Sequence, residues 1–99
     1  MYATVKMKPG VAILPIDSDG NVYLTRQFRY ALGKESIEVV CGAIEEDEPQ
    51  QKAARELEEE IGIKASKLID LGVVDLDTSI VNCSIQLFLA KELIKTEAN

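Results

Sequence analysis

The sequence predicts a mixed α/β fold, and three observations lead there. Strand-like runs stand on both sides of one segment of helical period. That segment is bounded by Pro49 and Gly62, natural start and stop residues for a helix. The 99 residues also suffice for one small core and no more, so residues 1–99 are read as a single domain.

Residues 2–7 alternate in the manner of a strand, and Pro9-Gly10 punctuates before the apolar run 11–16, which reads as a buried strand. Residues 17–21 are a turn cluster, so 22–29 is expected to return as the hairpin partner of 11–16. Residues 31–36, with Gly33 and Lys34, read as a loop; 37–40 is a short strand leading to Gly42 and an acidic loop. A helix is expected from Pro49 to about Gly62, and 67–76 and 83–93 are the last strand candidates.

The helix carries the chemistry. At ~100° per residue, Glu56, Glu59 and Glu60 fall on one side, beside an apolar stripe of Ala53, Ala54, Leu57 and Ile61. Like charges at i,i+4, as in Glu56 and Glu60, cost an isolated helix roughly 0.2–0.5 kcal/mol per pair, more where water is excluded. A divalent cation reverses that sign. Oxygen-only ligands suit Mg2+, with Mn2+ or Ca2+ as alternatives, and the chain has no histidine. Alone, such a run more commonly marks a solvated helix face.

The surrounding pattern favours the metal. Gly42, Glu48, Arg55-Glu56-Leu57, Glu59-Glu60 and Gly62-Ile63 resemble the Nudix box, G-x5-E-x7-R-E-U-x-E-E-x-G-U with U aliphatic. The second half matches at every defined position, whereas six residues, not seven, separate Glu48 from Arg55. With one residue missing from the loop, either Asp47 or Glu48 fills the first acidic position. Segments 10–17, 22–30 and 38–44 extend the likeness, and Arg26-Gln27-Phe28-Arg29-Tyr30 resembles the ADP-ribose pyrophosphatase branch of the Nudix hydrolases.

That resemblance implies an alpha-beta-alpha sandwich with a mixed sheet, and metal-assisted hydrolysis of a diphosphate bridge in ADP-ribose or a related nucleoside diphosphate sugar. Glu56, Glu59 and Glu60 become the metal ligands, with the main-chain carbonyl of Cys41 beside them. Glu59, Glu60 and Arg55 become the catalytic set, Arg55 orienting a glutamate. Arg29, then Arg26, are the substrate arginines, since a guanidinium matches phosphate bidentately, and Phe28 is placed to stack on a base. Strand alternation puts the two arginines on opposite faces, so one phosphate meets both only through a bend or a dimer partner. Branch members usually continue further, with a second helix and a loop glutamate. The domain is therefore expected to be C-terminally shortened and a homodimer, with Glu92 and Glu97 as the only late acids.

Composition sets bounds. With 46% hydrophobic and 28% charged residues the chain fits a folded globular protein rather than a disordered one. A net charge of -6 argues against nucleic-acid binding, which needs clustered Lys and Arg, but not against a small nucleotide substrate. No apolar run reaches the ~18 residues of a membrane span, and a cytoplasmic location is the expectation. Cys41 and Cys83 lack metal spacing and read as reduced thiols. Three functions are carried forward: a Nudix pyrophosphohydrolase, a catalytically silent Nudix module binding a nucleotide as sensor or regulator, and an interaction module whose acidic helix is merely solvated.

Overall fold

The computed structural model describes residues 4–96. Its centre is a strand too apolar to sit at an edge. β2 (Gly10–Pro15) is flanked on one side by β5 (Val40–Ala43), antiparallel, and on the other by β8 (Ser84–Lys95), parallel; β6 (Ile63–Asp75) closes the sheet antiparallel to β8. The sheet is mixed, with order β5-β2-β8-β6.

Helix α1 (Pro49–Ile61) lies across one face. Its start has Gln51 Oε1 accepting the Glu48 N–H at 3.4 Å, and its end is Gly62 in the left-handed region at φ 65°, whose N–H is donated to the Glu58 carbonyl at 3.0 Å. Alternation turns Val11 and Ile13 of β2 and Phe88 and Ala90 of β8 toward this helix, where they meet Ala53, Leu57 and Val40 in one buried cluster. Burial of each larger side chain contributes roughly 1.5–3 kcal/mol. On the opposite face Leu14, Leu89 and Ile69 stand in register and half-buried. Among the described residues α1 is the one helix, so the expected sandwich is described here as a helix layer and a sheet.

The helix bounds agree with the sequence reading, as do the strands after it, except that β6 starts directly after Gly62. Three expectations are corrected. Residues 22–29 are not the hairpin partner of 11–16: contact is limited to an Ile16–Val22 bridge and a Tyr23 N–H to Pro15 carbonyl bond at 3.2 Å, because both edges of β2 are already taken. Instead β3 (Thr25–Arg29) pairs with β4 (Lys34–Glu38), which reduces the expected 31–36 loop to a tight turn. Val39 interrupts the expected 37–40 strand between β4 and β5. Of the expected 2–7 strand, β1 (Val5–Lys6) forms, parallel to β7 (Val81–Asn82); Tyr2, Ala3 and also Glu97 lie outside the described residues.

Gly62 holds the chain at the point where helix reverses into β6. Gly62→Ala should lower the unfolding free energy by about 1–2 kcal/mol, the cost of a side chain in left-handed backbone, measured by urea denaturation.

Candidate active site on the acidic helix

Two ion-pair stripes run down α1. In the first, Lys52, Glu56 and Glu60 follow one another at i,i+4 spacing, and Lys52 Nζ lies 2.8 Å from Glu56 Oε1. Glu56 is buried because β5 passes close beneath it: a Cβ on Gly42 would lie 2.7 Å from the Glu56 carboxylate. A side chain at position 42 would force the Glu56 carboxylate to shift. Glu60 is exposed, yet its carboxyl is pushed above the usual carboxylate range, first by partial desolvation, then by the hydrogen bond and charge of Glu56.

The second stripe holds Arg55 between Asp47, 2.5 Å away, and Glu59, 3.8 Å away. The Asp47 contact is an ion pair without hydrogen-bond alignment, so the buried Asp47 Oδ2 accepts no hydrogen bond. Of the two acids left open for the first box position, it is Asp47 that reaches Arg55, while Glu48 stands at the helix N-cap.

The β3–β4 hairpin brings the cationic group. Arg29 donates through Nε to Glu38 Oε2 at 2.8 Å and through Nη2 to Glu38 Oε1, a two-pronged pairing. The Arg29 guanidinium holds the Glu38 carboxyl down at about 2. Arg29 and Glu60 feel each other's charge, and both act on the Cys41 thiol, which burial above all pushes up. Arg29, Glu38, Cys41, Glu56 and Glu60 thus share one neighbourhood.

Arg26 and Phe28 are turned to the exposed side of the hairpin, as alternation predicts. Arg26 lies 3.7 Å from Glu35, with both side chains exposed, and the Phe28 ring meets Tyr30 edge-on at 5.1 Å. Between β3 and the end of α1 is an open cleft of about 490 Å3 lined by Thr25, Arg26, Gln27, Glu60 and Ile61. A hollow of about 340 Å3 near Asp75, Thr78 and Asn82 lies toward the far end of β6 and carries no comparable charge cluster.

Among the described residues no group of three or more His, Cys, Asp or Glu side chains converges as a ready ligand set. The donor chemistry nevertheless fits a hard divalent cation: two neighbouring carboxylates, Glu56 and Glu60, with the Lys52 ammonium already standing on one of them as a cation. Glu59 stands apart from this pair, on the Arg55 stripe. Sequence reasoning missed Lys52 and Glu38. Lys52 was detectable, four residues before a motif glutamate; Glu38 was not, because it lies opposite Thr25 in the hairpin and is met only by the reach of the Arg29 side chain.

The NUDIX domain family matches residues 6–91. An ADP-ribose pyrophosphatase of Bacillus subtilis (strain 168) is 34% identical over 90 residues, spanning 90% of this chain and 49% of the relative. One from Mycobacterium tuberculosis (strain ATCC 25618 / H37Rv) is 39% identical over 71 residues, spanning 70% of this chain and 33% of the relative. A crystal structure of an ADP compounds hydrolase superposes with a TM-score of 0.80 at 25% identity, covering 92% of this chain and 49% of that one. This chain spans about half the length, or less, of these proteins. No helix among the described residues is long and apolar enough to cross a membrane.

Because Glu38 is held down in the folded state, its pairing stabilises the fold above the ordinary carboxylate value of 4.5, and this is lost as pH falls toward about 2. NMR titration should place the Glu38 midpoint near 2, and Arg29→Ala should return it toward 4.5.

Proposed function

The chain belongs to the NUDIX family, and on that premise we propose that it hydrolyses the diphosphate bond of ADP-ribose or a related nucleoside diphosphate sugar, with Mg2+, giving a nucleoside monophosphate and a sugar phosphate. The observation that carries this reading is the Glu56–Glu60 carboxylate pair, which feels the charge of Arg29 and whose Glu60 lines an open cleft with Arg26. Glu56, Glu60 and Glu59, with the Cys41 carbonyl, are the proposed metal ligands. The cation would neutralise phosphate oxygens and acidify the attacking water.

The chain's own residues would do the rest. Arg29 spends Nε and Nη2 on Glu38, leaving three of its five N–H donors for a diphosphate. Glu38 fixes the fork so that little freedom is lost on binding. Glu60, exposed and lining the cleft, is the carboxylate proposed to handle a proton from water. Arg55 orients Glu59 and the loop through Asp47.

Arg26 lines the cleft with Glu60 and can meet a substrate there, whereas Phe28 faces away from Arg29, so its proposed role in substrate binding requires a second copy of the chain. A homodimer is also favoured by the apolar groups the hairpin exposes: Leu24, Phe28, Leu32, Ile37 and the 91% exposed Tyr30. Light scattering should give about twice the 10.9 kDa chain mass; a monomer at micromolar concentration would remove Phe28 from the site. Residues 1–99 are read as one domain, and the free thiols Cys41 and Cys83 fit a cytoplasmic location.

The Lys52 ammonium on Glu56 favours a second reading, a silent module that binds a nucleotide without turnover. Hydrolysis of ADP-ribose by the purified chain decides between them. AMP release should require Mg2+ and fall by about 100-fold or more in Glu60→Gln with the fold retained. Calorimetric binding of ADP-ribose without release, and no turnover across a panel of nucleoside diphosphate derivatives, would establish the silent module instead.

A further inference from the structure

Lys52 stands where helix energetics would not put it. It is the fourth residue of α1, in a helix whose first turn holds no acidic residue, so its charge lies near the positive end of the helix dipole. A lysine preceding its glutamate at i,i+4 is also the less favourable order for such a pair. Yet its side chain and that of Glu56 are only 14% and 11% exposed, whereas Lys8–Glu45, Arg26–Glu35 and Lys64–Glu58 are open to solvent. Exposed pairs contribute little; a nearly dry one fixes two charges that neither can leave unpartnered without cost. What demands Lys52 is Glu56, pressed into the space above Gly42 with Glu60 at its other side.

We propose that Lys52 is a built-in counter-ion of the acidic site, whose ammonium holds a Glu56 oxygen in the metal-free chain and lowers the site's affinity for a divalent cation. This rests on the metal-site reading above. With Lys52 in place the Lys52–Glu56–Glu60 stripe carries one net negative charge rather than two, so the fold tolerates the carboxylates without metal. An incoming cation competes with the ammonium for Glu56, and the flexible lysine stem allows Nζ to withdraw. Lys52 therefore acts through Glu56 as a positioning residue and sets the metal concentration at which the site loads.

The test is Mn2+ affinity, from the free-ion electron paramagnetic resonance signal, in the wild-type chain and in Lys52→Met, Lys52→Gln and Lys52→Arg. Removing a full charge a few ångströms from the ion should tighten Mn2+ binding about tenfold or more in both neutral variants, while Lys52→Arg stays near wild type. The neutral variants should melt lower than wild type in EDTA and gain more from saturating Mn2+; a variant that folds only with Mn2+ supports the proposal equally. Affinity in both neutral variants equal to or weaker than wild type overturns it while leaving the metal site standing. Absence of Mn2+ binding in every variant overturns the metal-site reading itself, and the counter-ion with it.

Discussion

The close approach of α1 to β5 at Gly42 is the constraint on which the rest of the molecule depends. Ala53 and Leu57 enter the core with Val11, Ile13, Val40 and Phe88, and the absence of a Cβ at position 42 leaves room for the Glu56 side chain beside them. The same approach drives the Glu56 carboxylate out of water and against the sheet. A carboxylate so placed needs a partner, since an isolated buried charge costs several kcal/mol. Packing and chemistry are therefore not separable here: the helix face that enters the core also brings the Glu56 carboxylate against Gly42.

Legibility in the sequence followed the range of each interaction. The helix was readable to the residue because Pro49 and Gly62 act locally, and the pairing of Glu56 with Glu60 followed from i,i+4 spacing. The central place of β2 was hinted at by its unbroken apolar run, yet its parallel partner β8 lies some seventy residues on, beyond the reach of any local signal. The hairpin error had the same root: turn chemistry at 17–21 correctly reverses the chain, but cannot show that both edges of β2 are occupied. Asp17 does organise that turn, accepting the Asp19 and Asn21 N–H groups, without extending a ladder beyond Ile16 and Val22.

In the site, carboxylates were legible and their partners were not. A motif defined by acids directs attention to Glu56, Glu59 and Glu60 and past Lys52, although the lysine is on the same stripe. Whether Asp47 or Glu48 takes the first acidic position depended on loop conformation. Arg55 reaches Asp47 because Glu48 is committed to the helix start, and no spacing rule expresses that choice.

The β3–β4 hairpin contributes none of its side chains to the buried cluster, and its outer face mixes the apolar Phe28 and Ile37 with the charged Arg26 and Glu35. Its value to the body is Arg29, whose pairing with Glu38 joins its two strands and holds a guanidinium beside Glu60. The helix side has the complementary problem, carboxylates in excess, which Lys52 and Arg55 offset from within α1. Three cations, Arg29, Lys52 and Arg55, thus each stand against a carboxylate around the same helix. Of these pairs only Lys52–Glu56 is nearly dry, so that is the pairing whose loss would leave an uncompensated buried charge, while Arg29 and Arg55 keep water within reach.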